Sequence, residues 1–325
     1  MRHFCIHRGV RLWVAGLSVA GVLEGAPLPN TQPVAPSDAK QPVLVWDVAP
    51  ELRDGLPRNY RTTDMPLKSS AGAPLPSALG LATLHEAGSA EFTAVALKLA
   101  LAPLHGKVTV FDLRQETHVF VAGMPVSWFA TNNWANVGRA QADIESEETG
   151  RARALVAGAK LELADDKVKK SPGSATMPET IVVVHPATER ETVEAAGASY
   201  VRITVADHAR PDDGAVDRFI AAVRTLPADG WVFFHCRAGR GRTTTFMALY
   251  DMLRNARQVS LEDIAKRQEL LGNDYDVLQP ADAGTAKAPY VADRIAFVRA
   301  FYDYAKANPN GKPQTWTEWL GKQVK

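Results

Sequence analysis

The segment His235-Cys236-Arg237-Ala238-Gly239-Arg240-Gly241-Arg242-Thr243 gathers a thiol, three guanidiniums and two glycines into nine residues. The chain has two cysteines, and the other, Cys5, lies close to the N-terminus. If the N-terminus is removed on export, Cys236 stands alone and forms no internal disulfide. Cys236 follows the apolar run Trp231-Val232-Phe233-Phe234, which predicts a buried strand, and precedes Thr243 to Asn255, which predicts a helix. The loop between them therefore opens a helix N-terminus, where unpaired N–H groups and the positive end of the helix dipole favour thiolate over thiol. The same N–H groups make an anion cradle. Gly239 and Gly241 let the chain turn tightly with its amides facing inward, because glycine reaches backbone angles closed to other residues. Arg242, six positions after the cysteine, returns over the loop and grips two oxygens of a tetrahedral anion in fork geometry. The chemistry is attack by sulfur on phosphorus. The alternative, a small buried apolar cysteine, explains none of the flanking residues.

A phosphate monoester also needs a general acid, because an alkoxide is a poor leaving group. Asp207 is the chosen acid: it follows the predicted strand Val201 to Val205, in a loop stiffened by Pro211, and such a loop can swing over a site. On composition Asp212 and Asp213 are equally eligible, and any of the three reads also as a helix cap or turn residue. The Thr243 hydroxyl is placed either to hydrogen-bond the sulfur or to do ordinary first-turn helix chemistry. His235 reads as orienting the loop rather than moving protons. Taken singly, Arg237 and Arg240 each read equally as surface solvation or as a substrate contact. Together with Arg242, His208 and Arg61 they favour a small-molecule substrate bearing several phosphates.

The loop has the form His-Cys-x5-Arg-Thr of the protein tyrosine phosphatase superfamily. With Thr244, Phe246-Met247 and the upstream Ala206-Asp207-His208-Ala209-Arg210-Pro211, it resembles more narrowly the cysteine phytases, or protein-tyrosine-phosphatase-like inositol polyphosphatases. The likeness runs more loosely from Arg58-Asn59-Tyr60-Arg61 to Trp316 and Trp319. It implies an α/β fold, a protein tyrosine phosphatase-like core with a mainly parallel central sheet flanked by helices, and a small partial β-barrel beside it. It implies Cys236 as nucleophile, Arg242 and Thr243 as its partners and Asp207 as general acid. Substrate contacts are implied for Arg237, Ala238, Gly239, Arg240, Gly241, His208, His235, Arg58, Arg61, Glu116, Asn133 and Lys287. Arg114 and His118, beside Glu116, equally read as structural hydrogen-bonders. Where Asn133 stands the family more often has an acid; an amide still bonds a hydroxyl or water, and the lost charge bears on which phosphate leaves first. The implied activity is stepwise hydrolysis of myo-inositol hexakisphosphate through a cysteinyl-phosphate, with no metal and no cofactor. The alternatives are a secreted tyrosine or dual-specificity protein phosphatase, and an inositol-polyphosphate binding module without catalysis. Intact Cys236, Arg242 and Asp207 speak against the last.

The remaining sequence must position these groups. A chain of 325 residues holds one large domain or two small ones, and its net charge of +1 implies no general attraction to nucleic acid. Arg2, Arg8 and Arg11, the apolar stretch from Leu12 to Leu23, and then Gly25 and Ala26 read as a secretory signal over residues 1–26. That stretch is too short to span a bilayer, so export to the periplasm or outside is expected, with no stable membrane anchor. Residues 27–50, rich in proline, read as an extended lead-in. Residues 51–325 read as the phosphatase domain, with a β-rich insertion at about 120–177. Within it Lys160 to Lys170 reads as a solvated loop. Strands are predicted at Lys107 to Leu113, Gly123 to Ala130, Thr180 to His185, Val201 to Val205 and Trp231 to Phe234. Helices are predicted at Gly214 to Leu226, Thr243 to Asn255, Ser260 to Leu270 and Val291 to Ala307, with Leu79 to Ala102 partly helical. Strands alternating with helices imply a parallel sheet covered on both faces. The chain has no His-Glu-x-x-His, no Cys-x-x-Cys and no Gly-x-Ser-x-Gly.

Overall fold

The computed structural model describes residues 28–69, 72–164, 178–272 and 274–323, so the segment read as an export signal lies outside them. Its strands are β1 (Val43–Trp46), β2 (Arg61–Thr62), β3 (Glu86–Ala90), β4 (Val108–Arg114), β5 (His118–Val121), β6 (Met124–Phe129), β7 (Lys160–Leu163), β8 (Glu179–Val182), β9 (Ser199–Val205) and β10 (Trp231–Cys236). Its α-helices are α1 (Ala94–Leu101), α2 (Gln141–Ala154), α3 (Glu189–Ala195), α4 (Asp213–Val223), α5 (Gly241–Asn255), α6 (Leu261–Leu271), α7 (Ala288–Ala307) and α8 (Trp316–Gln323).

The main sheet has the order β2-β3-β10-β4-β9. β10 pairs parallel with β3 and β4, β4 pairs parallel with β9, and only β2 runs antiparallel. Side chains alternate across a strand, so β10 feeds two cores. Val232, Phe234 and Cys236 join the large cluster with Phe246 and Met247 of α5, while Trp231 and Phe233 join the other with Phe92, Ala96 and Leu97. The expected mainly parallel, two-sided sheet is present.

β3 has the sequence Glu-Ala-Gly-Ser-Ala and no β-branched residue, so its pattern did not predict a strand. Its small residues have a packing cause: a Cβ on Gly88 would stand 2.5 Å from Met247 Sδ. Bulk there would force the Met247 side chain aside and crowd Thr243 Cγ2, 3.0 Å away.

A smaller layer lies beside this core. β1, β6 and β5 form an antiparallel sheet, β7 pairs with β8, and a bridge from Val45 to Ala164 links the two. The lead-in is therefore not merely extended: Val43 to Trp46 is an integral strand, in register with Val126 to Phe129. Likewise the stretch from Lys160 begins as strand β7 rather than as a solvated loop, and residues 165–170 lie outside the described set. Among the described residues no helix is long and apolar enough to cross a membrane.

Candidate active site

Parallel strands bring their C-terminal ends to one edge of a sheet. Glu91 follows β3, Cys236 ends β10, Glu116 follows β4 and Asp207 follows β9. These four chemically able side chains, far apart in sequence, meet at that edge.

The loop after Cys236 is tied down from outside. The carbonyls of Arg237, Ala238 and Gly239 accept from Glu91 N (3.4 Å), Asn59 Nδ2 (2.8 Å) and Arg61 Nη1 (2.9 Å). A planar trans peptide holds N–H opposite C=O, so the amides of Ala238, Gly239 and Arg240 are turned to the inside. Gly239 has φ +68°, and a Cβ there would lie 2.3 Å from Ala90 N, so this turn requires glycine. Helix α5 then starts with no side chain capping it. Its free first-turn amides complete an anion cradle.

Cys236 is 2 % exposed within this ring. Burial pushes the thiol pKa up, but the Arg242 charge and hydrogen bonds from Thr243 outweigh it, and the pKa falls below the ordinary thiol value. Thr243 Oγ1 lies 3.1 Å from Sγ, so of its two predicted uses the hydroxyl serves the sulfur.

Arg242 reaches Glu116 with two bonds, Nη1 to Oε2 at 2.7 Å and Nη2 to Oε1 at 2.8 Å, and donates to Val205 O at 3.1 Å. Its Nε is buried without a partner. A guanidinium fixed on one edge with an open donor on the other is ready for an oxyanion. Burial raises the Glu116 pKa, yet Arg242 and Arg114 hold it far below the carboxylate range. Glu116 therefore orients Arg242 and does not contact substrate as expected.

Asp207 Oδ1 lies 3.3 Å from Arg242 Nη2, with its side chain 24 % exposed. The residue expected to be the acid is thus placed beside Arg242. Burial raises its pKa, but Arg242 and His208 outweigh that and the carboxyl is held below its usual value. Its two rivals are occupied elsewhere. Asp212 caps α4 through Ala215 N at 2.7 Å, and Asp213 accepts from Arg210 and from Trp316 Nε1.

A cleft of about 420 Å³ is lined by Asp207, His208, Ala238, Arg240, Gly241, Arg242 and Lys287 among others. The sequence reading missed Tyr275 and Arg294 of the same cleft, which carry no motif. Other expected contacts lie elsewhere. Arg58 and Arg237 line a different cavity of about 580 Å³, where Arg237 Nε donates to Asp47 Oδ1 at 3.0 Å. Arg61 is buried behind the loop, donating to Gly239 O and to Thr244 Oγ1. It braces the cradle from below and cannot meet a substrate.

His235 points to the opposite face from Cys236 and is fully buried, so it too is no substrate contact. Its Nε2 stands 2.7 Å from Glu189 Oε1, and His118 Nε2 stands 2.7 Å from the other oxygen. Burial lowers both imidazole pKa values, but the acids around them prevail and raise His235 to about 9 and His118 to about 10. Their folded values lie above the unfolded one, so this stabilisation is full below about pH 6.5 and is lost as pH rises through 9 to 10. Glu189→Gln should cost on the order of 3–5 kcal/mol at pH 7 and much less at pH 10. Urea denaturation at both pH values measures this; equal losses would show that the imidazoliums are not what Glu189 holds.

Sulfur, inward amides and the Arg242 guanidinium, with an acid two strands away at the end of β9, match the pattern of the protein tyrosine phosphatase superfamily. Within it, the family model for PTP-like phytases, described by the words inositol hexakisphosphate, matches residues 111–254. A PTP-like phytase from Bdellovibrio bacteriovorus is 40% identical, with a TM-score of 0.71 over 91% of this chain and 99% of its own. The chain belongs to this family. A tandemly repeated PTP-like phytase from Mitsuokella multacida is 35% identical with a TM-score of 0.77, covering 86% of this chain and 49% of that one. A myo-inositol phosphatase from the same organism, with the same similarity, was solved with myo-inositol-(1,3,4,5)-tetrakisphosphate. Effector protein hopD2 of Pseudomonas syringae pv. tomato is 35% identical over 87% of this chain, which spans 60% of that protein.

Proposed function

We propose that this protein is an exported phosphatase that removes phosphates stepwise from myo-inositol hexakisphosphate. The carrying observation is the Cys236 thiol, bonded by Thr243 and held under the Arg242 charge, with Arg242 Nε buried without a partner. The Cys236 thiolate attacks phosphorus in line while Arg242 and the loop amides hold the equatorial oxygens. The P–O bond to the ring breaks as Asp207 gives its proton to the leaving oxygen. Water then attacks the cysteinyl-phosphate, gives a proton to Asp207, and releases inorganic phosphate and the thiolate. A dianion in the cradle competes for Arg242 and adds negative charge beside Asp207, which raises the pKa of the acid when the proton is needed.

The choice of a ring bearing several phosphates is supported by Arg240, Lys287 and Arg294 beside Arg242 around one cleft, more cation than a single aryl phosphate requires. The relative crystallised with an inositol tetrakisphosphate points the same way. Export is supported by the N-terminal charge and apolar pattern, and by a relative named an effector.

Phosphate release from inositol hexakisphosphate should exceed release from a phosphotyrosine peptide. The reverse preference would favour a protein phosphatase, and turnover of neither would favour a binding module. Activity should be bell-shaped, with its optimum on the acid side of neutrality, because the Cys236 and Asp207 pKa values are both lowered. Thiolate formation limits the low-pH limb and loss of the Asp207 proton limits the high-pH limb. Asp207→Asn should lower kcat about 100-fold and abolish the high-pH limb. A limb that survives unchanged would assign the acid to another residue.

A further inference from the structure

We infer that Asn133 is a positioning residue for Asp207, fixing its carboxyl beside Arg242 and setting the pH at which the acid loses its proton. The inference rests on the proposed role of Asp207 as general acid.

Asn133 closes the short 3-10 turn Thr131–Asn133, between β6 and α2, and both Asn132 and Asn133 take left-handed backbone angles, φ 59° and 62°. Asparagine tolerates that conformation better than most residues. The residue is 7 % exposed and is not among those lining the Cys236 cleft. Its amide is used internally: Nδ2 donates to Asp207 Oδ2 at 2.8 Å. The next residue, Trp134, donates from Nε1 to the Asp207 backbone carbonyl at 2.9 Å. Two consecutive residues of the smaller layer thus grip the side chain and the main chain of one aspartate.

An amide nitrogen only donates, so in this arrangement Asp207 Oδ2 accepts. The oxygen left to carry the proton is Oδ1, which faces Arg242 Nη2 and accepts a local bond from His208 N at 3.1 Å. The ionisable groups around Asp207 are Arg242 from α5, Glu116 past β4, Cys236 at the end of β10, Tyr275 between α6 and α7, and His208 on its own loop. When phosphate engages Arg242, Asn133 still holds Oδ2, and the proton on Oδ1 stays aimed at the cradle. A donor to the carboxylate also favours its ionised form, so Asn133 draws the high-pH limb downward.

The test compares full-length wild-type protein with Asn133→Ala and Asn133→Asp, on inositol hexakisphosphate and on p-nitrophenyl phosphate, across the pH range. In Asn133→Ala the high-pH limb should move up by about one pH unit, the worth of one hydrogen bond to a charged group. In Asn133→Asp it should move further, because a second carboxylate opposes ionisation of the first. For Asn133→Ala, kcat should fall about tenfold on inositol hexakisphosphate and less than about twofold on p-nitrophenyl phosphate, whose leaving group departs without an acid. Of the two variants, those that melt within about 2 °C of wild type are read. An unmoved limb in them, or equal losses on both substrates, overturns the inference. Should Asp207→Asn remove the limb while the Asn133 variants leave it in place, only the positioning role fails; should wild type turn over neither substrate, the proposed function fails and this inference with it.

Discussion

Cys236→Ser is expected to reduce turnover of inositol hexakisphosphate by on the order of 10⁵-fold while its binding, followed by calorimetry, changes by less than about fivefold. The two readouts separate because the cradle does not depend on sulfur. The carbonyls of Arg237, Ala238 and Gly239 are held by Glu91, Asn59 and Arg61, and Arg242 is held by Glu116, all of which the substitution leaves in place. What is lost is the nucleophile. The forces that lower a thiol below its ordinary pKa, a guanidinium and a hydroxyl bond, cannot bring a serine hydroxyl into the working pH range. Single-turnover phosphate release in the variant checks the claim, and a loss under about 100-fold would mean that another group attacks phosphorus.

How far this was legible without coordinates depended on the element. β10 and α5 announced themselves through the run Trp231 to Phe234 and the loop spacing, and with them Cys236, Arg242 and Thr243. β3 was hidden because the neighbour that packs on it, Met247, excludes bulky residues at Gly88, and so the strand lacks the composition that signals strands. α2 was hidden for a related reason: only Ile144, Glu148 and Ala152 are buried, a seam one residue wide on an otherwise polar helix. The middle of the seam is a charge. Glu148 accepts from Arg202 at 2.7 Å, and Arg202 sits 3.3 Å from Asp112.

Of the groups that resemblance placed against substrate, Glu116, Arg61 and Asn133 share one feature: each is buried and bonds a residue of the site, Arg242, Gly239 and Asp207 in turn. His235 instead pairs with Glu189 on the other face of the sheet. A sequence comparison marks such positions as part of the site but does not tell contact from support, because burial and hydrogen-bond direction are set by the fold. Arg114 shows the depth of this support. It bonds Glu91 at 2.5 Å and Asp47 at 2.9 Å and stands 3.7 Å from Glu116, so one guanidinium braces the acids behind both Arg237 and Arg242. Asp47 comes from the end of β1, within the stretch that read as a mere lead-in.

Arg242→Lys should lower kcat/KM by on the order of 10³-fold although the positive charge is kept. Arg242 makes two parallel bonds to Glu116 and one to Val205 O, and its Nε is left without a partner, free to take a phosphate oxygen. A lysine carries one ammonium on a flexible stem and cannot span a carboxylate and a phosphate in one plane. If it pairs with Glu116 it leaves the phosphate, and if it turns to the phosphate it leaves Glu116 buried with only Arg114, 3.7 Å away, to balance its charge, at a cost of several kcal/mol. Because charge near the sulfur survives, the pH dependence of Cys236 alkylation by iodoacetamide should shift by less than about one pH unit while catalysis collapses. That combination assigns the loss to geometry. A fall in kcat/KM of less than about tenfold would show that charge alone serves the transition state and that the Glu116 fork is dispensable.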